Sequence, residues 1–80
     1  MDKAAVFAVL KQEILNVLPL VKTEDITPDN RLVDLGANSL DRSEIVVNCM
    51  SSLNVKLEPW ALAELKNIGD LCDALHAAIK

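Results

Sequence analysis

Aromatic residues are almost absent from this 80-residue chain: Phe7 and Trp60 are the whole supply, and there is no tyrosine. A core must therefore be built from leucine, isoleucine, valine and alanine, which dominate the 51% hydrophobic content. Two glycines and three prolines are too few for the turn-rich layout of short strands, so the expected class is a small helical bundle. Cations are in the minority as well, with eight Lys and Arg against twelve Asp and Glu and a net charge of −4. Binding a phosphate backbone needs clustered Lys and Arg to displace counterions, which argues against nucleic acid as a partner. Basic partner surfaces suit this charge better, although ordinary solubility explains it equally well. No apolar run approaches the roughly 20 residues that cross a bilayer, and Asp2 beside Lys3 departs from a signal-peptide layout. The expectation is a cytoplasmic chain with no membrane partner.

Chemistry is scarce too. Cys49 and Cys72 lack the CxxC spacing of a zinc site and make no disulfide framework, so both are expected as buried thiols acting as small hydrophobes. The one histidine, His76, flanks an apolar helical stripe without clustered partners and reads as structural, because a general base needs a positioned partner and a pocket. Asp41 and Glu44 share a helix face but without a cleft read as solvated surface. No phosphate-cradling Gly-rich loop and no metal-ligand cluster is present. A single domain over residues 1–80 is expected, and at that size there is little room for a deep catalytic cleft.

Apolar periodicity predicts the elements. Val6, Phe7, Leu10, Ile14, Val17 and Leu18 recur at three- and four-residue spacing, predicting a helix over Ala4–Leu18, capped by Asp2 and ended by Pro19. From Pro19 to Asn38 no period is sustained. Loops of this length are uncommon in compact domains, and Ile26, Leu32 and Leu35 are the residues expected to tie this one down. A second helix is predicted from Ser39 or Leu40 to about Leu53, with Ile45, Val46, Cys49 and Leu53 facing inward. At 3.6 residues per turn, Leu40, Glu44, Val47 and Ser51 then align on another face, leaving Leu40 and Val47 exposed as docking points. Pro59 suits the first position of a short third helix reaching about Leu65 and carrying Trp60, Leu62 and Leu65. Asn67 caps a last helix with Asp70 in its first turn and Ile68, Leu71, Cys72, Leu75 and Ile79 on its apolar stripe.

Ser39 lies where the loop becomes the second helix. Two readings of it stand on local physics. A serine at a helix start is ordinarily an N-cap, whose oxygen accepts from the next turn. The same place favours a bound phosphate, because unpaired first-turn N–H groups and the helix dipole both point there. In the N-cap reading the chain is a small helical interaction module.

The segment Asp34-Leu35-Gly36-Ala37-Asn38-Ser39-Leu40-Asp41, leading into a helix with Glu44-Ile45-Val46, resembles the attachment motif of acyl carrier proteins. The likeness runs from the first helix to Ile79 and includes the long first loop, the short helix after Pro59 and the opening Asn67-Ile68-Gly69-Asp70-Leu71. It implies an all-α four-helix bundle of acyl-carrier-protein type and a chain that is no enzyme. It also implies a 4′-phosphopantetheine arm on Ser39, added from coenzyme A by a phosphopantetheinyl transferase and ending in a thiol that carries acyl thioesters. Asn38 departs from the usual aspartate before the serine, Arg42 adds a cation to the first turn, and Ser51 and Ser52 stand where fatty-acid carriers place acids.

Leu35 to Ile45 is similar, further, to the free-standing carriers of bacterial polyketide β-branching cassettes. That similarity implies a monomeric carrier which receives malonyl from an acyltransferase and has it converted to acetyl by a decarboxylating ketosynthase homologue. The acetyl then goes to an HMG-synthase-like enzyme. Carriers that accept the branch have a tryptophan after the serine on helix two, and this chain has none there, which favours the donor role. Asn38, Leu40, Asp41, Arg42, Glu44, Val47 and Trp60 are the implied partner-recognition residues. For Trp60 a core or lid position and a partner contact are both open.

Overall fold

The structure is a computed structural model that describes residues 2–63 and 65–79, and of Pro59 and Ala63 the backbone alone. In chain order α1 spans Lys3–Val17, α2 Ser39–Leu53, α3 Pro59–Ala63 and α4 Ile68–Ala78. Two 3-10 turns, Thr23–Asp25 and Leu32–Leu35, punctuate the long connection between α1 and α2. No strand occurs among the described residues, and the four-helix expectation holds.

Helix α1 begins where Asp2 Oδ1 accepts the Ala5 N–H at 2.9 Å, as the sequence predicts. It starts one residue before the expected Ala4 and ends one before Leu18, which serves as its C-cap with its N–H on Ile14 O at 2.7 Å. The residue before a proline is pushed out of the helical region, and Pro19 follows Leu18. Val6, Leu10 and Ile14 are fully buried at four-residue spacing, with Phe7, Val17 and Leu18 partly buried beside them.

That stripe meets Ile45 and Cys49 of α2 and Ile68, Leu71, Cys72 and Leu75 of α4 in one cluster, which Ile26 joins from the connection. Burying each large aliphatic side chain stabilises the fold by about 1.5–3 kcal/mol relative to leaving it in water. Val46 and Leu53, expected to face inward with Ile45 and Cys49, are half-buried at the edge. Polar links fasten the rim: Ser52 Oγ on α2 donates to Glu13 Oε2 on α1 at 2.8 Å, and Lys3 pairs with Asp73 across α1 and α4 at 3.0 Å.

The long connection is ordered by more than its apolar side chains. Its carbonyls at Asn30 and Pro28 accept the N–H groups of Ile68 and Gly69, each at 2.9 Å, so it closes the first turn of α4. A Cβ at position 69 would lie 3.1 Å from both the Pro28 Cβ and the Pro28 carbonyl oxygen, so glycine is what permits the approach. Asn67 caps α4 as predicted, its Oδ1 accepting the Asp70 N–H at 2.7 Å. Ile79 packs against the core with the rest of the stripe, half-buried, but as the C-cap of α4 and not within its last turn. Helix α3 stops at Ala63, short of the expected Leu65; of the intervening residues, Glu64 lies outside those described.

Candidate functional site

The approach to Ser39 is set by a reversal at Gly36. Its φ of 94° is left-handed, a region that side chains with a Cβ disfavour, and it follows the 3-10 turn Leu32–Leu35. The N–H of Gly36 then reaches Val33 O and that of Ala37 reaches Leu32 O, both at 3.1 Å. Ala37 is buried by this turn, and the next residue, Asn38, arrives extended at the start of α2.

Asn38 is the cap. Its Oδ1 accepts the Asp41 N–H at 2.8 Å, while Asp41 Oδ2 accepts the Asn38 N–H at 3.2 Å, a complete capping box. The N-cap reading of Ser39 is thereby overturned. Ser39 is the first helical residue, and from there its side chain cannot turn back onto the N–H two or three residues on; only the extended residue before the helix can. Ser39 is exposed, and its Oγ accepts from Arg42 Nη2 at 3.3 Å.

The capping box leaves the end of α2 half open. Asp41 donates to the Asn38 side chain and Arg42 to the Asn38 carbonyl at 3.0 Å, whereas the N–H groups of Ser39 and Leu40 meet no acceptor among the described residues. The positive pole of a 15-residue helix thus emerges beside an exposed hydroxyl. A phosphodiester on the exposed Ser39 Oγ would find two free N–H donors and a guanidinium within reach. The residues present fit that group.

The structure spreads the other implied residues around this point. Leu40 is 80% exposed and Val47 56%, and Glu44 and Ser51 are exposed with them, as the helical spacing predicts. Asp41 is half-buried and spends its carboxylate on the cap, so it is not the solvated surface acid expected. Trp60 is 69% exposed on α3, which removes the core placement. Burial, followed by the charge of Glu13, pushes the Cys49 thiol up to about 12. Burial and then Asp73 raise that of Cys72, so both stay protonated near neutrality. His76 is half-buried in the last turn of α4. No group of three or more His, Cys, Asp or Glu side chains that could hold a metal occurs among the described residues.

A groove of about 630 Å³, which no sequence pattern announced, is bounded by the loop, α2, α3 and α4. Leu32, Val46, Met50, Leu62, Leu65 and Leu71 line it apolarly, and Arg31, Arg42 and Lys66 supply its only charged lining residues among those described. The signal that could have found it is the excess of apolar residues on α2: Val46 and Met50 flank the Ile45–Cys49 stripe without being needed by it.

Residues 8–75 match the family model described as the phosphopantetheine attachment site. Over all 80 residues the chain is 38% identical to the polyketide biosynthesis acyl-carrier-protein AcpK of Bacillus subtilis (strain 168), covering 98% of that protein. It is 29% identical over 69 residues, 86% of its length, to the non-reducing polyketide synthase adrD of Penicillium rubens, of which it spans 3%. With the helical frame, the open start of α2 and a match over most of its length, the chain belongs to the acyl carrier proteins, carriers of a covalently attached 4′-phosphopantetheine and not catalysts.

Proposed function

We propose that Ser39 is the residue that bears the arm and that the chain is a carrier of polyketide biosynthesis, the acetyl donor to an HMG-synthase-like enzyme in β-branching. The observation that carries the attachment site is the uncapped, exposed Ser39 hydroxyl at the open end of α2, inside the matched region. In the transfer, a bond forms between the Ser39 oxygen and phosphorus as the bond to the nucleotide half of coenzyme A breaks, and the hydroxyl proton passes to a base on the transferase. The chain's part is to hold that oxygen out from the surface at the positive end of a helix, where the negative charge of the product is stabilised. Incubation with coenzyme A and a broad-specificity phosphopantetheinyl transferase should add one arm's mass to the protein and none to Ser39→Ala. A gain that survives that substitution removes Ser39 from the role.

Full-length similarity to a protein named for polyketide biosynthesis supports the pathway class. The donor role rests on the Leu35–Ile45 resemblance, with Asn38 and Arg42 as its marks. Leu40, Val47 and Trp60 offer apolar contacts to partners, and Glu44, which makes no ion pair among the described residues, offers a carboxylate to a partner's Arg or Lys. Asn38 and Asp41 set the angle at which this face is presented, through the cap. Such a surface suits transient docking to the transferase, an acyltransferase, a decarboxylating ketosynthase homologue and the HMG-synthase-like enzyme in turn. The acetylated protein should transfer to the HMG-synthase-like enzyme faster than an acetylated fatty-acid carrier does; equal rates would remove the donor assignment.

A further inference from the structure

We infer that Arg42 acts within the carrier itself, as the residue that grips the phosphodiester of the arm and draws its root toward the groove between α2, α3 and α4. This rests on Ser39 as the attachment residue. Arg42 Nη2 already lies 3.3 Å from the oxygen that becomes the ester oxygen, and a non-bridging phosphate oxygen is one phosphorus farther out, within reach of the remaining guanidinium N–H groups. The planar fork of arginine matches two such oxygens at once, which a lysine ammonium does not.

Arg42 is also available for the purpose. Arg31 is held by two hydrogen bonds to Asp34, at 3.0 and 3.3 Å, and Lys3 by Asp73, whereas Arg42 contacts no carboxylate among the described residues. The acid nearest in sequence, Asp41, has turned its Oδ2 onto the Asn38 N–H. The cap itself is the uncharged Asn38, so no carboxylate at that position repels the diester or competes for Arg42.

The direction follows from where Arg42 stands. It lines the groove and Ser39 does not, and no Asp or Glu is among the groove's lining residues. An anion gripped by Arg42 therefore sits on the cationic rim of an apolar channel, and the arm starts along that channel. Arg42 is then a positioning residue for the arm, and a partner carboxylate that engages it releases the arm's root.

The test compares wild type, Arg42→Gln, Arg42→Lys and, as a control, Lys56→Gln, each in apo and loaded form with loading verified by intact mass. Lys56 lies beyond the far end of α2, and a 15-residue helix is roughly 22 Å long, so it removes an equal charge away from Ser39. Arg42→Gln should move the phosphorus-31 resonance of the loaded protein. It should also reduce the loaded-minus-apo melting temperature by about 2 °C at low salt, a difference that fades near 1 M salt. Arg42→Lys should restore part of both effects and Lys56→Gln should leave both unchanged. In the wild type, the Arg42 Nε–H resonance should shift on loading, a readout that needs no variant to load. An unmoved Arg42 resonance, or a phosphorus signal and melting difference equal in wild type and Arg42→Gln, overturns the inference. Absence of any mass gain in the wild type overturns the attachment reading instead, so the two failures are separable.

Discussion

Helices α2 and α4 begin with the same device and come to opposite ends. Each is capped by an asparagine, Asn38 or Asn67, whose Oδ1 accepts the N–H of an aspartate three residues on, at 2.8 and 2.7 Å. At α4 the next two N–H groups, of Ile68 and Gly69, are taken by the carbonyls of Asn30 and Pro28. At α2 the equivalent groups, of Ser39 and Leu40, meet no acceptor among the described residues. A helix end is fully satisfied only when something outside the helix supplies acceptors. In one case the chain's own loop supplies them; in the other a covalently held phosphate can, and that is the difference between a structural start and a functional one.

The closed end is the easier to break. Gly69→Val should cost about 2 kcal/mol, because even the first added carbon lies 3.1 Å from the Pro28 backbone and Cβ, and the loop must shift to admit the rest. Denaturant titration measures it, and a neutral result would mean that the loop yields freely. Next come the caps: Asn38→Ala and Asn67→Ala should each cost about 1 kcal/mol, showing that the two devices are equivalent in energy whatever follows them.

Ser39→Ala should cost less than about 0.5 kcal/mol, since Ser39 caps nothing, while abolishing cofactor loading entirely. A loss as large as that of Asn38→Ala would restore the cap reading. Amide hydrogen exchange then sharpens the contrast without any substitution: Ile68 and Gly69 should be protected, Ser39 and Leu40 should exchange freely, and loading should slow the second pair alone.

The smallest effect separates local from global opening. The Cys49 thiol is pushed up to about 12 by burial, so folding favours its protonated form. Its contribution to stability is complete below its ordinary pKa of about 9 and is lost as pH rises from there towards 12. At neutral pH it should resist thiol reagents in the native protein, and the Gly69→Val variant should react faster only in proportion to its loss of global stability.

The helices were legible because apolar spacing and cap residues are local: Asp2, Asn67 and the Leu10–Ile14 stripe each declare themselves within a turn or two. Ser39 was legible as a place of interest and misjudged in detail. Asn38 and Ser39 both stand at the boundary, and whether the cap falls on one or the other depends on where Gly36 turns the chain. Trp60 could not be placed because tryptophan suits core and interface alike, and its exposure follows from how the short α3 lies on its neighbours. The groove was invisible for the same reason, since its walls come from the loop, α2, α3 and α4 together.

Local pattern was enough to show that this chain is helical, where its four helices begin, that its core is aliphatic and that Ser39 opens the second helix, because periodicity, caps and the Leu35–Asp41 motif act over a few residues. Packing between segments settles which helix end the loop closes and which it leaves open, and that a cationic rim borders an apolar groove beside Ser39. Those outcomes depend on how distant segments pack, and the local spacing of side chains carries no record of that.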